Sequence, residues 1–184
     1  MKLNIHVIIH PIIQQLAYKL IYTKSQKNSQ NYDDEKTLGM LIMYEIFRKW
    51  LTTNNIYIKK VDILQEKLLS NELNRYLIIS NIIENHNILS NIKKILPQTD
   101  FKHISLEKKN KLYNWNPKIS MKKIIIFEKF LQDYKIMTTI KNLEEKNKIN
   151  LTNVKVVCIT CNSKILYYIA RRYPKINVYT TKIV

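Results

Sequence analysis

The stretch KKIIIFEKFLQDYKIMTTIKNL, residues 122 to 143, decides how this chain is read. KIIIF is a short unbroken run of apolar, mostly β-branched residues, the pattern of a strand covered on both faces. After a polar junction the apolar positions fall at helical spacing, which predicts a helix over 134 to 147. Strand, tight junction and helix, in that order, is where α/β proteins commonly hold a phosphate. Here the junction contains no glycine and no proline. A backbone that cannot easily take positive φ cannot curl its N–H groups around an anion, so the junction has the place of a phosphate site without its chemistry.

The same rhythm recurs on both sides. Upstream, RYLIIS (75 to 80) is another unbroken apolar run, followed by the helix ILSNIKKILP, stopped by Pro97, and the strand FKHISL. Downstream come the strand VKVVCIT, a helix over 163 to 172 and the strand INVYTT. Right-handed crossovers between such strands give a parallel sheet flanked by helices, so the fold class is α/β. Ligands of such sheets bind beyond the carboxyl ends of the strands. That topology points to residues 80 to 87, 107 to 120, 127 to 134 and 159 to 163, and to the region after Thr181.

Nearer the N-terminus, Ile12, Ile13, Leu16, Leu20 and Ile21 form one helical stripe, and Leu38, Leu41, Ile42, Ile46 and Trp50 form a second. Asp33 or Asp34 is placed to cap the second helix. NIYIKKVDI then alternates like an exposed or edge strand. The expected organisation is one domain over 1 to 184, with an N-terminal helical segment over 1 to 54 and an α/β core over 55 to 184.

Composition narrows the function classes. The only glycine, Gly39, lies inside a helical pattern, so no Walker-type or dinucleotide-binding loop can be built in the usual way. Lys and Arg number 31 against 14 Asp and Glu, a formal charge of +17. Lys, Asn, Ile and Tyr are over-used together, as A/T-rich codons would produce, and the lysines are spread along the chain. Compositional drift therefore accounts for the charge more simply than a dedicated nucleic-acid surface. The first residues lack the long apolar core of a signal peptide, and no apolar run approaches the ~20 residues of a membrane span. A soluble protein working where it is made is the expectation, with no membrane partner.

Individual motifs mostly have structural readings. CITC, Cys158 to Cys161, has redox spacing, but Cys158 falls inside a strand and two reduced packing cysteines are expected. His6, His10, His86 and His103 are dispersed and define no metal site. Tyr113 and Trp115 in YNWNPK could stack on bases, or cover a sheet edge. Glu144 and Glu145 read as solvated helix-end residues.

The order of elements nevertheless resembles a specific family. HPIIQQLAYKL, KTLGMLIMYEIFRKWL and NVKVVCITCNSKILYYIARRYPKINVYTTKIV are similar to the corresponding pieces of uracil phosphoribosyltransferases. Tyr44 and Glu45 match the Y-E of that family's L-x-x-L-x-Y-E-A helix, and Val178, Tyr179 and Thr180 match its V-Y-T strand. The resemblance is colinear over nearly the whole chain and implies a type I phosphoribosyltransferase-like sheet. It also implies pyrimidine salvage: uracil joined to the ribose of phosphoribosyl pyrophosphate, with Mg²⁺ on the diphosphate.

Carried over residue by residue, the ligand elements fail to match. The family's phosphoribosyl loop D-P-M-L-A-T-G-G-S falls on Glu128, Lys129, Phe130, Leu131, Gln132, Asp133, Tyr134 and Lys135, where an acid survives and both glycines are gone. Lys129 or Lys135 could still attract an anion. The pyrophosphate loop P-I-L-R-A-G falls on Ser80, Asn81, Ile82, Ile83, Glu84 and Asn85, so Ile83 replaces the arginine and Glu84 adds a negative charge. The flexible-loop pattern R-x-E-E-T falls on Leu106 to Trp115 without being kept, and the uracil-binding G-L-G-D-x-G-D region is not found after the V-Y-T strand. The resemblance so altered implies a homolog with no intact catalytic residue, no metal site and no cofactor, Mg²⁺ being needed only if activity survives. The alternatives are an active enzyme with a divergent site and a basic RNA-binding or interaction module. The resemblance further implies a homodimer and, with the codon bias, an organelle-encoded chloroplast protein, a bacterial cytoplasm being the other setting.

Overall fold

The computed structural model describes residues 3–22, 29–48, 50–51, 53–61, 63–70, 76–104, 122–145 and 148–184. Its centre is a seven-stranded sheet in the order β1 (Asn4–Val7), β8 (Asn177–Thr180), β7 (Val154–Cys161), β6 (Lys123–Leu131), β4 (Tyr76–Ser80), β5 (Thr99–His103). The seventh strand, β9 (Lys182–Ile183), pairs with the end of β7. Every pairing in this sheet is parallel.

Strict alternation along the central strands explains why both faces are covered. Ile124, Ile126, Val154, Val156 and Val178 enter one apolar cluster, built with α5 (Lys135–Glu145) and α6 (Ser163–Arg172). Their neighbours Ile125, Phe127, Val157, Ile159 and Tyr179 enter the opposite cluster. That second cluster is closed by α1 (Pro11–Tyr22), α2 (Ser29–Arg48), α3 (Ile82–Leu89) and α4 (Ile92–Ile95). Burial on both faces is what the unbroken apolar runs require, and the layers are helix, sheet, helix.

Several elements depart from the sequence expectation. Asn4–Val7 forms strand β1 on the far side of β8, with Ile5 opposite Val178 and Val7 opposite Thr180. Four residues are too short for periodicity to show a strand, and only the pairing defines it. Helix α2 begins at Ser29, so Asp33 and Asp34 lie within it rather than capping it. There they meet Lys36 at 3.0 Å and Lys19 at 3.3 Å. The alternating stretch becomes an antiparallel hairpin, β2 (Thr53–Lys60) with β3 (Ile63–Ser70), separate from the main sheet. The helix after β4 starts at Ile82, six residues before the stretch that suggested it, and pauses before α4.

Gly39 lies in α2 where that helix meets α3: a Cβ there would collide with the Ile88 carbonyl oxygen and lie 2.8 Å from its carbonyl carbon. The lysines are not all solvated either. Lys155 is buried in β7 beneath Trp50, 4.1 Å from the ring centroid, and 4.8 Å from that of Tyr179. Lys123 donates to the Trp50 carbonyl at 2.8 Å. The aromatic faces and carbonyl offset the desolvation that lowers the Lys123 pKa. These cations lie at the amino ends of β6 and β7, away from the strand ends where ligands bind.

Candidate functional site

The carboxyl ends of β4 and β6 bring the two sequence-predicted segments together. Ser80 and Asn81 on one side and Phe127 and Glu128 on the other line one cavity of about 10 Å³, with Ile79, Ile104, Ile126, Ile136 and Thr139 completing its wall. That volume suits at most a single water. A sugar diphosphate requires a space many times larger.

Each segment has a different local structure from the loop its motif suggests. Glu128, Phe130 and Leu131 are not in a loop: β6 continues to Leu131, pairing Glu128 with Cys158, Phe130 with Thr160 and Leu131 with Cys161. The alternation slips along the way, because Leu131 and Cys161 join the cluster that holds Ile126 and Cys158. Only residues 132 to 134 then separate β6 from α5. The Asn162 amide donates to the Leu131 carbonyl at 3.1 Å and locks the strand end. Among the described residues the one positive φ is at Lys148, so the junction has no left-handed residue with which to form a phosphate nest.

Ser80 ends β4, Asn81 is the N-cap of α3, and Ile82, Ile83, Glu84 and Asn85 form its first turn. The first amide that such a helix would offer an anion is already used: Ile82 N–H donates to His103 Nδ1 at 3.1 Å. Asn85 Nδ2 donates to Ser80 Oγ at 2.9 Å inside the protein. Ile83, where the family has arginine, points into solvent and is 81% exposed. Asn81 Oδ1 is buried without a partner in the cavity wall, an acceptor that one water would satisfy.

The electrostatics oppose a polyanion. Burial, followed by the charges of Glu84 and Asp133, pushes the Glu128 pKa up to about 7, with Lys135 acting weakly the other way. Lys129 pairs with Glu35 of α2 at 3.0 Å, and Lys135 with Asp133 at 3.2 Å. Of the two lysines expected to attract an anion, Lys129 is held in a largely buried pair, whereas the Lys135–Asp133 pair is exposed to solvent. Tyr134 turns outward and packs edge-on against Tyr168 at 5.0 Å, while Gln132 and Asp133 are exposed. Among the described residues no group of three or more His, Cys, Asp or Glu is arranged to hold a metal.

Other candidate residues have structural settings. Cys158 and Cys161 are free thiols, both buried; a hydrogen bond to Cys161 and burial raise the Cys158 pKa well above the usual value. Tyr44 is exposed, and Glu45 pairs with Arg48 at 3.2 Å. Tyr179 stacks on His6 at 4.6 Å, and Thr180 Oγ1 donates to the Ile159 carbonyl at 3.1 Å. His86 and His10 are exposed. Glu144 and Glu145 are exposed at the end of α5. Residues 105 to 121, with Tyr113, Trp115 and the flexible-loop positions, lie outside the described residues. The His103 cap was invisible to motif matching, because His103 reaches α3 from a neighbouring strand 21 residues away in sequence.

The cap makes a direct prediction. His103→Leu leaves the Ile82 N–H without an acceptor and is expected to cost about 1–2 kcal/mol by urea unfolding, whereas His86→Leu on an exposed face costs under ~0.5 kcal/mol. Equal losses for the two would mean that the cap contributes nothing.

No family model matches the chain. Among curated proteins it is 28% identical over 184 residues to a uracil phosphoribosyltransferase homolog of Porphyra purpurea, covering all of this chain and 89% of that protein. A uracil phosphoribosyltransferase homolog of Pyropia yezoensis is 27% identical over 190 residues, with the same shares. Among solved structures, the AQ2163 protein from Aquifex aeolicus superposes with a TM-score of 0.76, over 97% of this chain and 86% of that one, at 13% identity. The last shares the fold; the first two share sequence from end to end of this chain. On an α/β parallel sheet of the expected type, the chain is thus similar from end to end to two uracil phosphoribosyltransferase homologs.

Proposed function

We propose that this chain is a uracil phosphoribosyltransferase homolog that no longer makes UMP from uracil and phosphoribosyl pyrophosphate. One observation carries the reading: the two junctions that would hold the substrate's phosphates close on a cavity of about 10 Å³. The strand extension to Leu131 and the His103 cap on Ile82 supply the protein's own groups where a substrate's would be. Loss of phosphate cradling and loss of the pyrophosphate arginine would each remove on the order of 10²-fold in rate. No step is assigned to Mg²⁺, because the residues present do not fit it.

The wider reading has the same status. The relatives' red-algal source supports an organelle-encoded chloroplast protein. Exposed Ile9 and Ile12 near the N-terminus support a homodimer contact, 79% and 53% of their surfaces being accessible. Among the described residues no helix is long and apolar enough to cross a membrane.

Calorimetric titration of the folded protein with phosphoribosyl pyrophosphate and Mg²⁺, with and without uracil, tests the central claim. The expected result is no saturable heat up to millimolar ligand and no rise in melting temperature. Saturable binding with pyrophosphate release would show an active enzyme with a divergent site and overturn the proposal.

A further inference from the structure

We propose that the outer face of α6, with the open cleft it shares with α5, binds single-stranded nucleic acid. The inference is independent of whether UMP is made, since it concerns the helix surface rather than the cavity at the strand ends. After Glu145 the sequence contains no acidic residue, so α6 itself carries only cations, while Glu144 and Glu145 at the end of α5 reach Tyr173 electrostatically. Burial of Ile165, Leu166 and Ile169 fixes which side of the helix faces the sheet. Lys164, Tyr167, Tyr168, Arg171 and Arg172 are all exposed, and their spacing of three, four, seven and eight residues aligns them in one stripe.

The stripe has the two ingredients of strand recognition. Tyr134, Tyr168 and Tyr167 form an edge-to-face series, with centroids 5.0 and 6.0 Å apart and interplanar angles of 88° and 79°. Their exposures of 51%, 48% and 64% leave large aromatic surfaces in water, where bases can stack. Arg171 and Arg172 line a cleft of about 400 Å³ beside Tyr134, Met137 and Tyr168. Neither arginine has an ion-pair partner among the described residues, and Glu145, at the end of α5, pairs with Lys141 at 3.7 Å.

Drift toward A/T-rich codons accounts for scattered lysines but not for this placement of arginine. The chain's arginines are Arg48, Arg75, Arg171 and Arg172, so two of them stand side by side on this one face. An acidic peptide would use the arginines and leave the tyrosine faces idle, and a lipid surface would want aliphatic groups, which the exposed stripe lacks. A helix of 10 residues is about 15 Å long, matching roughly four nucleotides at the ~3.4 Å per-strand spacing.

The test is fluorescence anisotropy of the full chain with an end-labelled twelve-nucleotide uridine strand, read from about 50 to 200 mM salt. Binding is expected with a log–log salt slope of about −3, as for roughly four neutralised phosphates. Arg171→Ala with Arg172→Ala should weaken binding about tenfold or more and flatten the slope by about 1.4. Tyr167→Ala with Tyr168→Ala should weaken it about tenfold or more and leave the slope unchanged. Lys93→Ala with Lys94→Ala, an equal loss of charge from exposed positions of α4, should change little. Four outcomes would each overturn the proposal: no binding, an equal loss from the Lys93/Lys94 variant, no loss from the tyrosine variant, or displacement of the strand by polyglutamate as readily as by unlabelled RNA. The last would identify an acidic-peptide surface instead.

Discussion

Gly39→Ala is expected to destabilise the protein by about 3 kcal/mol or more, seen as a fall in melting temperature of roughly 6–12 °C. In an ordinary helix interior the same change stabilises by about 1 kcal/mol, because alanine is the better helix former. The sign reverses here because α2 runs against the backbone of α3. A Cβ at position 39 would collide with the Ile88 carbonyl oxygen, with the carbonyl carbon at 2.8 Å and Ile88 Cγ1 at 2.9 Å. A side chain can rotate away, but a backbone carbonyl moves only with its helix. That helix carries Ile88 and Leu89 into the same core as Ile42, Met43 and Ile46. Trimming Ile88 to alanine therefore gives no rescue in the double variant, since the oxygen stays in place. A Gly39→Ala protein that melts higher than the parent would show that the two helices do not approach so closely.

Gly39 also shows how far sequence reasoning reaches in this fold. Its isolation excluded glycine-dependent phosphate loops, which depends on local backbone chemistry. Its actual task, a close helix crossing, depends on a partner 49 positions along the chain and leaves no local signal. The same division holds elsewhere. The runs LIIS and KIIIF are buried on both faces by composition alone, and they were legible as central strands of a parallel sheet. Strand β1 is polar-edged and four residues long, and it becomes a strand only by pairing with β8. The end of β6 was read as a loop because the apolar run KIIIF stops at Phe127 and ligand loops follow the strand ends of such sheets. Phe130 and Leu131 are good strand residues, and β7 offers the pairing edge that keeps them extended.

At the site, residue identity showed what was missing but not what replaced it. Loss of two glycines and an arginine could be read by matching motifs. That Lys129 would turn to Glu35 and His103 to the Ile82 amide required the fold, since each partner comes from another element. These contacts bear on the functional reading more than the losses do. A site that has only lost residues can still admit a ligand weakly. One whose amide, lysines and strand edge have taken new partners must break those contacts before binding anything.

Glu128→Gln is expected to raise stability by about 2–3 kcal/mol at pH 8 and to change it little at pH 4.5. The carboxyl pKa goes from 4.5 in the unfolded chain to about 7 in the folded one, through burial first and then the charges of Glu84 and Asp133. Across that interval the folded state keeps a proton that the unfolded state has released. Stability from this group therefore falls as pH rises from about 4.5 through 7 and levels off above, the full cost being roughly 3 kcal/mol. Below both values the carboxyl is neutral in either state and glutamine is a close substitute. Urea unfolding of the two proteins at pH 4.5 and pH 8 reads the difference directly, and comparing their difference cancels the histidines. The result also bears on function. In the family this position is the acid beside the ribose hydroxyls, and a carboxylate kept ionised for a ligand should be supported by its surroundings. Here Lys129 turns elsewhere and two further acids lie close by, so ionisation is penalised. If Glu128→Gln instead weakened the protein at pH 8, the carboxylate would have charged partners that favour it, and a surviving ligand site would become the better reading of β6.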